Sequence, residues 1–189
     1  MREYLENCLS EIKYLWMNES LVDFNRLENL SNRIIRVFKN GGILAFAGNG
    51  GSAAESSHLA AEFTGKCLVE HRPLPALSLS DSIAGTTAIA NDFGKEDIFI
   101  RPAQAFLNEK SLLIAMSTSG KSENILKLIK DSRSRGIYTV LWTGELRHSI
   151  TEDCRADEVW SVPSVTTSRI QEIHLMWGHL LAEIIEEIC

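Results

Sequence analysis

The sequence has few of the features that mark membrane, exported or nucleic-acid-binding proteins. Its longest apolar stretches, such as residues 43–47, run about five residues, whereas a membrane-spanning helix needs about 18. Lys and Arg number 19 against 25 Asp and Glu, and this net charge of −6 disfavours binding to nucleic acid through a broad basic surface. The first residues carry acids and no uninterrupted apolar run, so we expect no export signal.

Cysteine is also scarce. The four cysteines are scattered singly, so neither a disulfide framework nor a zinc knuckle is expected; they are Cys8, Cys67, Cys154 and Cys189. Single cysteines fit a reduced cytoplasm. Apolar residues make up 44% and charged residues 23%, near the average of globular domains, which excludes a disordered chain. The 189 residues therefore predict one cytoplasmic domain.

Two amphipathic helices are predicted for the first forty residues. Apolar residues recur every three to four positions from Tyr4 to Trp16 and again from Leu27 to Phe38, and the pattern stops at Gly41. Such a helix pair is long for a cap on a small sheet. We therefore hypothesise that it forms a helical bundle between subunits, with residues 1–40 as an extension of the domain in residues 41–189.

The period changes after Gly42, where short apolar runs alternate with helical stretches. Nearly continuous apolar runs are typical of strands that are covered on both faces. This alternation predicts a three-layer α/β/α sandwich around a five-stranded parallel sheet, with ligands beyond the carboxyl ends of the strands. The predicted strands are 43–47, 76–79, 112–116, 138–142 and 159–162, and the predicted helices are 52–65, 83–107, 122–135, 145–153 and 167–188.

The first predicted strand ends in the loop Gly48–Ser52, with the sequence Gly-Asn-Gly-Gly-Ser, and runs directly into a helix. Glycines allow a close backbone approach to a ligand, and free N–H groups at a helix start attract anions. A tight turn without a ligand is the plain alternative. A dinucleotide site is a weaker one, because Gly48, Gly50 and Ala53 match its glycine pattern but the nearest acid at a strand end, Asp81, lies 28 residues beyond Ala53.

The third predicted strand ends in Ser117–Ser122, with the sequence Ser-Thr-Ser-Gly-Lys-Ser. Hydroxyl and backbone donors at a helix start can hold a phosphate group, although an ordinary capped helix start is the alternative. The sequence does not match a nucleotide P-loop, because Ala115 stands where that motif requires its leading glycine. A monophosphate therefore fits this loop better than a triphosphate. Between the two loops, Asn91 and Asp92 are common turn residues and on their own indicate only a loop.

Titratable side chains gather on two of the predicted helices. His58 and Glu62 are four residues apart and share a face, and the last helix carries a polar group near one end: Arg169, Gln171, Glu172, His174 and His179. A lone helical histidine is often structural. A His–Glu pair beside an anion loop favours a functional role, either as ligands of a divalent metal such as zinc or as general acid and base.

The spacing on the last helix sets a constraint. Gln171 and His179 are eight residues apart, roughly 12 Å along a helix and turned by about 80°. Two side chains so placed only just reach one metal ion. We therefore favour a site that is completed at a subunit interface.

Taken together, these motifs resemble the phosphoheptose isomerase branch of the sugar-isomerase (SIS) domain family. The resemblance spans nearly the whole chain, with five motifs in the expected order. They are Gly48–Ser52, His58 with Glu62–Lys66, Asn91–Gly94, Ser117–Ser122, and Arg169–His174 followed by His179. The chain departs from the pattern at Ser168, where many relatives carry an acid.

The resemblance implies a flavodoxin-like SIS fold and a homotetramer with sites at subunit interfaces. It implies the conversion of sedoheptulose 7-phosphate to D-glycero-D-manno-heptose 7-phosphate for bacterial lipopolysaccharide or capsule, with Glu62 and His179 as the proton-transfer pair. One zinc ion per subunit would be held by His58, Glu62, Gln171 and His179. The sugar phosphate would contact Asn49, Gly50, Gly51, Ser52, Glu62, Asn91, Asp92, Ser117, Thr118, Ser119, Ser122 and Gln171.

A non-catalytic scaffold is the competing class. The replication-initiator-associating protein resembles this chain in its glycine and serine loops, but in that branch the positions that match Glu62 and His179 are not Glu and His. This chain keeps both residues, which favours an enzyme. The remaining aromatic residues are interpreted as core or interface residues; the tryptophans are Trp16, Trp142, Trp160 and Trp177.

Overall fold

One parallel sheet of five strands organises the chain, as the computed structural model describes it for residues 1–146 and 150–188, without the side chain of residue 153. The strand order β2-β1-β3-β4-β5 is the flavodoxin-like order, which confirms the predicted fold class. The strands are β1 (Leu44–Gly48), β2 (Ala76–Ser78), β3 (Leu112–Ser117), β4 (Tyr138–Thr143) and β5 (Glu158–Ser161). Each strand therefore lies within two residues of its predicted bounds.

Seven α-helices accompany the sheet in the described part of the chain. They are α1 (Arg2–Trp16), α2 (Phe24–Lys39), α3 (Gly51–Thr64), α4 (Ile83–Phe93), α5 (Ile100–Phe106), α6 (Glu123–Ser134) and α7 (Thr167–Glu186). Apolar side chains of α2, α3 and α7 form the core on one face of the sheet, and those of α5 and α6 form the core on the other. Both faces are covered, which explains why β1 and β3 are buried along their whole length.

Two helix predictions are wrong. The predicted helix 83–107 is three pieces, because Gly94 adopts φ +102°, which ends α4 before a short 3₁₀ turn (Lys95–Asp97) and α5. The predicted helix 145–153 is not an α-helix in its described part, which has only a 3₁₀ turn at Glu152–Cys154. Residues 147–149 of that prediction lie outside the described residues.

The N-terminal helices form as predicted but differ in burial. The side chain of Asp23 accepts a hydrogen bond from the backbone N–H of Arg26 and caps α2, which buries one apolar face. In α1 only Leu15 is buried and Ile12 is partly buried, whereas the remaining large apolar side chains are more than half exposed. Trp16 is one of them, at 54% exposure, whereas the other three tryptophans lie in the core. An apolar surface therefore remains on α1.

The crossing of α3 and α7 positions the site. Gly178 on α7 lies directly against the side chain of Leu59 on α3, so a Cβ atom at position 178 would overlap it. This small residue lets the two helix backbones approach closely above the edge of β1. No helix of residues 1–146 and 150–188 has the length and apolar content that crossing a bilayer requires.

Candidate active site

The glycine loop connects β1 to α3 at the carboxyl edge of the sheet. A Cβ atom at Gly48 would overlap the backbone of Ser52, and Gly50 adopts φ +56°, a conformation that side chains rarely accept. Only glycine permits this tight entry into α3, which begins at Gly51. The backbone N–H groups of Ser52, Ala53 and Ala54 donate within this turn, to the carbonyl oxygens of Asn49 and Gly50. The positive end of the α3 dipole still favours an anion beyond the strand ends.

The serine loop lies beside the glycine loop because β1 and β3 are parallel neighbours. The amides of Asn49 and Asn124 join the two loops by reciprocal hydrogen bonds: Nδ2 of Asn49 donates to Oδ1 of Asn124 (2.9 Å), and Nδ2 of Asn124 donates to Oδ1 of Asn49 (2.8 Å). Asn124 carried no signal in the sequence. Its role is visible only because the sheet order brings the two loops together.

The hydroxyl groups of the serine loop point toward one another as a phosphate site requires. The Oγ atoms of Ser117 and Ser122 are 2.9 Å apart, and the Oγ atom of Ser119 accepts a hydrogen bond from the backbone N–H of Lys121. The Ser122 side chain does not cap α6, so it stays available to a ligand. A cavity of about 470 Å³ borders the loop, and its wall holds the cations Lys95 and Lys121 together with the carboxylates Glu96 and Glu123. The hydroxyl groups of the loop, rather than a net positive charge, are what favours a phosphate group there.

Three candidate catalytic side chains meet between α3 and α7. His58 and Glu62 lie one turn apart on α3, with Nε2 of His58 at 3.4 Å from Oε1 of Glu62. His179 on α7 places its Nε2 at 2.8 Å from Nε2 of His58. One potential ligand atom from each of the three residues lies within 4.8 Å of the others. A single chain therefore brings together an acid and two imidazoles that are 121 residues apart in sequence.

This group fits a zinc ion. The two imidazole Nε2 atoms lie 2.8 Å apart, the carboxylate supplies a third donor, and all three ligand atoms lie close enough to serve one ion. Nitrogen and oxygen donors of this kind are those that catalytic zinc sites use while they keep a position open. The fourth predicted ligand, Gln171, lies nearer the start of α3, where its side chain contacts Gly51 and its Nε2 is 3.4 Å from Oγ of Ser52.

A second cavity, of about 540 Å³, opens between α3 and α7. Its wall joins the glycine loop to the metal-ligand candidates, and it includes Ser168. The lining residues that bear on the argument are Gly51, Glu55, His58, Ser168, Gln171 and Glu172.

Asn91 and Asp92 lie outside both cavities as these are lined in one chain. They occupy the last turn of α4, are exposed, and bond to each other through Nδ2 of Asn91 and Oδ1 of Asp92 (2.8 Å). Helix α4 buries none of its residues in the chain. Their predicted contact with the sugar phosphate stays a prediction.

Burial perturbs several groups around the site. It raises the pKa of Glu55 to about 7, against a smaller effect of the Ser52 side chain, and lowers the pKa of His174 to about 3. Burial, reinforced by Glu62, raises the pKa of the Cys67 thiol to about 12, so this cysteine stays protonated beside the carboxylate. No sequence pattern assigns Glu55 a role, and His174 stands out in the sequence only by its position on the last helix. Their proximity depends on the packing of α3 against α7.

Comparisons with known proteins show the family to which the chain belongs. The sequence profile of the SIS domain family matches residues 11–144. The chain is 42% identical over 153 residues to a phosphoheptose isomerase of a Nitratiruptor species, which covers 81% of each protein. It is 34% identical over 187 residues to a phosphoheptose isomerase of Aneurinibacillus thermoaerophilus, which covers 99% of this chain and 92% of that protein.

Two solved structures share the whole architecture. Phosphoheptose isomerase GmhA from Neisseria gonorrhoeae superposes with a TM-score of 0.85 at 26% identity, over 98% of each chain. A phosphoheptose isomerase from Francisella tularensis gives 0.82 at 27% identity, over 98% of this chain and 96% of the other. These relatives do not support the scaffold alternative. The chain belongs to the phosphoheptose isomerase family of SIS domain proteins.

Proposed function

We propose that the protein interconverts sedoheptulose 7-phosphate and D-glycero-D-manno-heptose 7-phosphate. The observation that carries this proposal is the convergence of the Glu62 carboxylate and the His179 imidazole from two separate helices beside a loop suited to phosphate. The curated relatives that match most of the chain are named phosphoheptose isomerases, which supports the same substrate class. The protein is accordingly an aldose–ketose isomerase.

The reaction moves a carbonyl group from C2 to C1 through an enediol. The Glu62 carboxylate takes a proton from C1 of the open-chain ketose while the C2 oxygen receives a proton from His179, which gives the enediol. Glu62 then returns a proton to C2, and the hydroxyl proton on the C1 oxygen passes to His179, which leaves the aldehyde. An imidazole suits the oxygen-bound proton because it titrates near neutral pH.

His58, Glu62, Gln171 and His179 would hold the zinc ion. When bound beside the substrate oxygens, a divalent cation polarises the carbonyl group and stabilises the developing negative charge on oxygen. The short distance between the Nε2 atoms of His58 and His179, 2.8 Å, supports this assignment because two imidazole nitrogens and the Glu62 carboxylate lie close enough together to serve one ion. Zinc and its ligand set are part of the proposal.

The serine loop would hold the phosphate group at the far end of the sugar. Ser117, Thr118, Ser119 and Ser122 lie at the end of β3 and in the loop that leads into α6, which begins at Glu123. Binding energy from a part of the substrate that does not react can position the reacting carbons, which raises turnover. Asn49, Gly50, Gly51, Ser52 and Gln171 would contact the sugar between this loop and the acid–base pair.

We further propose a homotetramer in the cytoplasm that serves a pathway to bacterial surface heptose. The half-exposed apolar side chains of α1 and the unburied helix α4, with Ile83 at 81% and Phe93 at 53% exposure, provide surface that other subunits would cover. Packing of α4 against a neighbouring subunit would also carry Asn91 and Asp92 to a site at the interface.

The proposal is tested by incubating the purified protein with sedoheptulose 7-phosphate and following the aldose product by NMR, with and without a chelator. We expect the aldose to form and the chelator to slow its formation. No aldose with zinc supplied would contradict the assigned reaction, and a chelator without effect would contradict the role of the metal alone.

A further inference from the structure

A buried acid and a buried imidazole face each other beneath the cavity between α3 and α7. Glu55 is 5% exposed and His174 is completely buried, and Oε1 of Glu55 lies 3.9 Å from Nδ1 of His174. Both carboxylate oxygens and both ring nitrogens are inaccessible to solvent, and none of the four makes a hydrogen bond of ordinary geometry among the described residues, although the Ser52 side chain approaches the carboxyl group and the backbone of Thr143 approaches the ring. The mechanism proposed above uses neither residue. A buried polar group without a partner is rare in folded proteins and requires an explanation.

The two residues are placed one helical turn from the site on both helices. Glu55 precedes His58 by three residues on α3, and His174 follows Gln171 by three residues on α7. The contact between Glu55 and His174 therefore lies between the two helices, about one turn from a candidate ligand on each. Glu55 also contributes to the wall of the cavity, although its oxygen atoms do not reach the open space.

The surroundings of His174 fix its ring. The imidazole stacks on Trp177 with a centroid distance of 5.7 Å and packs at 5.9 Å against the ring of Trp142. The other groups near the pair are the side chain of Ser52 on α3 and the backbone of Thr143 on β4, and neither carries a charge. With the ring held in place, a small rotation of the Glu55 side chain closes the 3.9 Å gap to hydrogen-bond distance.

We propose that Glu55 and His174 form a hydrogen bond across the α3–α7 contact and act as positioning residues, which set the register of the two helices that carry the acid–base pair and the metal ligands. Burial favours the uncharged form of both groups, so the carboxyl O–H donates to Nδ1 of a neutral imidazole. The bond is directional, whereas the apolar contacts around it allow one helix to slide on the other. For its effect on turnover, the inference rests on the proposed function.

The decisive comparison uses one variant that keeps a donor at position 55 and one that removes it. Glu55→Gln retains a neutral side chain whose N–H can donate to His174, and we expect kcat near the wild-type value. Glu55→Leu has a similar volume and no polar atom. We expect it to lower kcat by about tenfold to a hundredfold with little change in KM, because small displacements of reacting groups have effects of that size and the phosphate loop is untouched.

A stability measurement separates positioning from a purely structural role. In Glu55→Leu/His174→Leu both polar groups are replaced by apolar ones, which leaves no buried group unpaired, so we expect a melting temperature at or above that of Glu55→Leu. We expect kcat to remain low in this double variant. The proposal would be overturned if the double variant recovered both the wild-type kcat and the wild-type melting temperature. It would also be overturned if Glu55→Leu alone had the wild-type kcat.

Zinc binding provides a readout that does not depend on isomerase activity. Competition with a chromophoric chelator should show weaker Zn²⁺ affinity in Glu55→Leu, by about tenfold or more, and near-normal affinity in Glu55→Gln. Ser31→Ala is the matched control because it removes another unpaired buried polar atom, on α2. It should change neither the Zn²⁺ affinity nor kcat. If the wild-type protein binds Zn²⁺ but shows no isomerase activity, the proposed function fails while the affinity series still tests the pair. Equal Zn²⁺ affinities in Glu55→Leu and in the wild type would refute the positioning role of Glu55 and His174.

Discussion

Replacement of Glu62 by Gln is the most direct test of the assigned chemistry. The change keeps the size of the side chain and removes its charge and its ability to accept a proton from carbon. The neighbouring groups are His58, whose Nε2 is 3.4 Å from Oε1 of Glu62, and the protonated thiol of Cys67. The Glu62 side chain is largely buried, at 16% exposure, so solvent reaches it only in part.

The expected effects on rate and on stability differ widely. A positioned general base contributes about 10²–10⁴ to the rate, which corresponds to about 3–5 kcal/mol of activation free energy. The pair formed with His58 is of the i, i+4 type and His58 is 47% exposed, so its loss should change the free energy of unfolding by only about 0.5 kcal/mol. Glu62→Gln should therefore unfold like the wild type and turn over at least a hundredfold more slowly, as an order of magnitude.

The assay couples formation of the aldose to NMR detection and is paired with thermal unfolding of each variant. Glu28→Gln, at an exposed position on α2, is the matched control and should leave both quantities unchanged. A near-normal rate for Glu62→Gln would remove this carboxylate from the mechanism. A large loss of stability would instead show that the structure assigns Glu62 the wrong environment.

Three further changes test other parts of the structure. Ser122→Ala removes a hydroxyl group from the serine loop and should lower kcat/KM for the sugar phosphate about tenfold to a hundredfold. For a sugar substrate without a phosphate group, kcat/KM should fall less. Gly178→Ala places a Cβ atom against Leu59 and should lower the free energy of unfolding by about 1–3 kcal/mol in chemical denaturation. Burial would raise the pKa of Glu186, but three backbone N–H donors of residues 67–69 outweigh it and lower the pKa. These hydrogen bonds therefore stabilise the folded chain fully above the ordinary carboxyl pKa, and the stabilisation is lost as the pH falls through the lowered pKa of Glu186. Glu186→Leu should lower the free energy of unfolding by about 1–3 kcal/mol at pH 7 and by much less in acid.

The sheet could be predicted closely because each strand is covered on both faces and therefore appears as a short continuous apolar run. Helix bounds were harder where local spacing and backbone conformation disagree. Apolar residues continue at helical spacing through residues 83–107, yet the positive φ of Gly94 ends α4 there. For residues 145–153 the sequence predicts a helix, but the described residues of this range form no α-helix.

The candidate site shows what spacing reveals and what it omits. The four-residue interval between His58 and Glu62 placed both on one face of α3, and the structure bears this out. The eight-residue interval between Gln171 and His179 gave no indication that His179 meets His58 within one chain. That meeting depends on how closely α3 and α7 approach, which Gly178 permits and which no local pattern encodes. The pairing of Glu55 with His174 was hidden for the same reason.

The reciprocal amide pair of Asn49 and Asn124 has a consequence for natural variation in this protein. Each side chain donates one hydrogen bond to the other and accepts one in return, and Oδ1 of Asn124 also accepts from the backbone N–H of Ile125. A single replacement at either position removes both hydrogen bonds that join the loops, and water would serve the remaining exposed amide. Divergent sequences with the same loops should therefore exchange the two asparagines together or keep both, so that drift at one loop is constrained by the other.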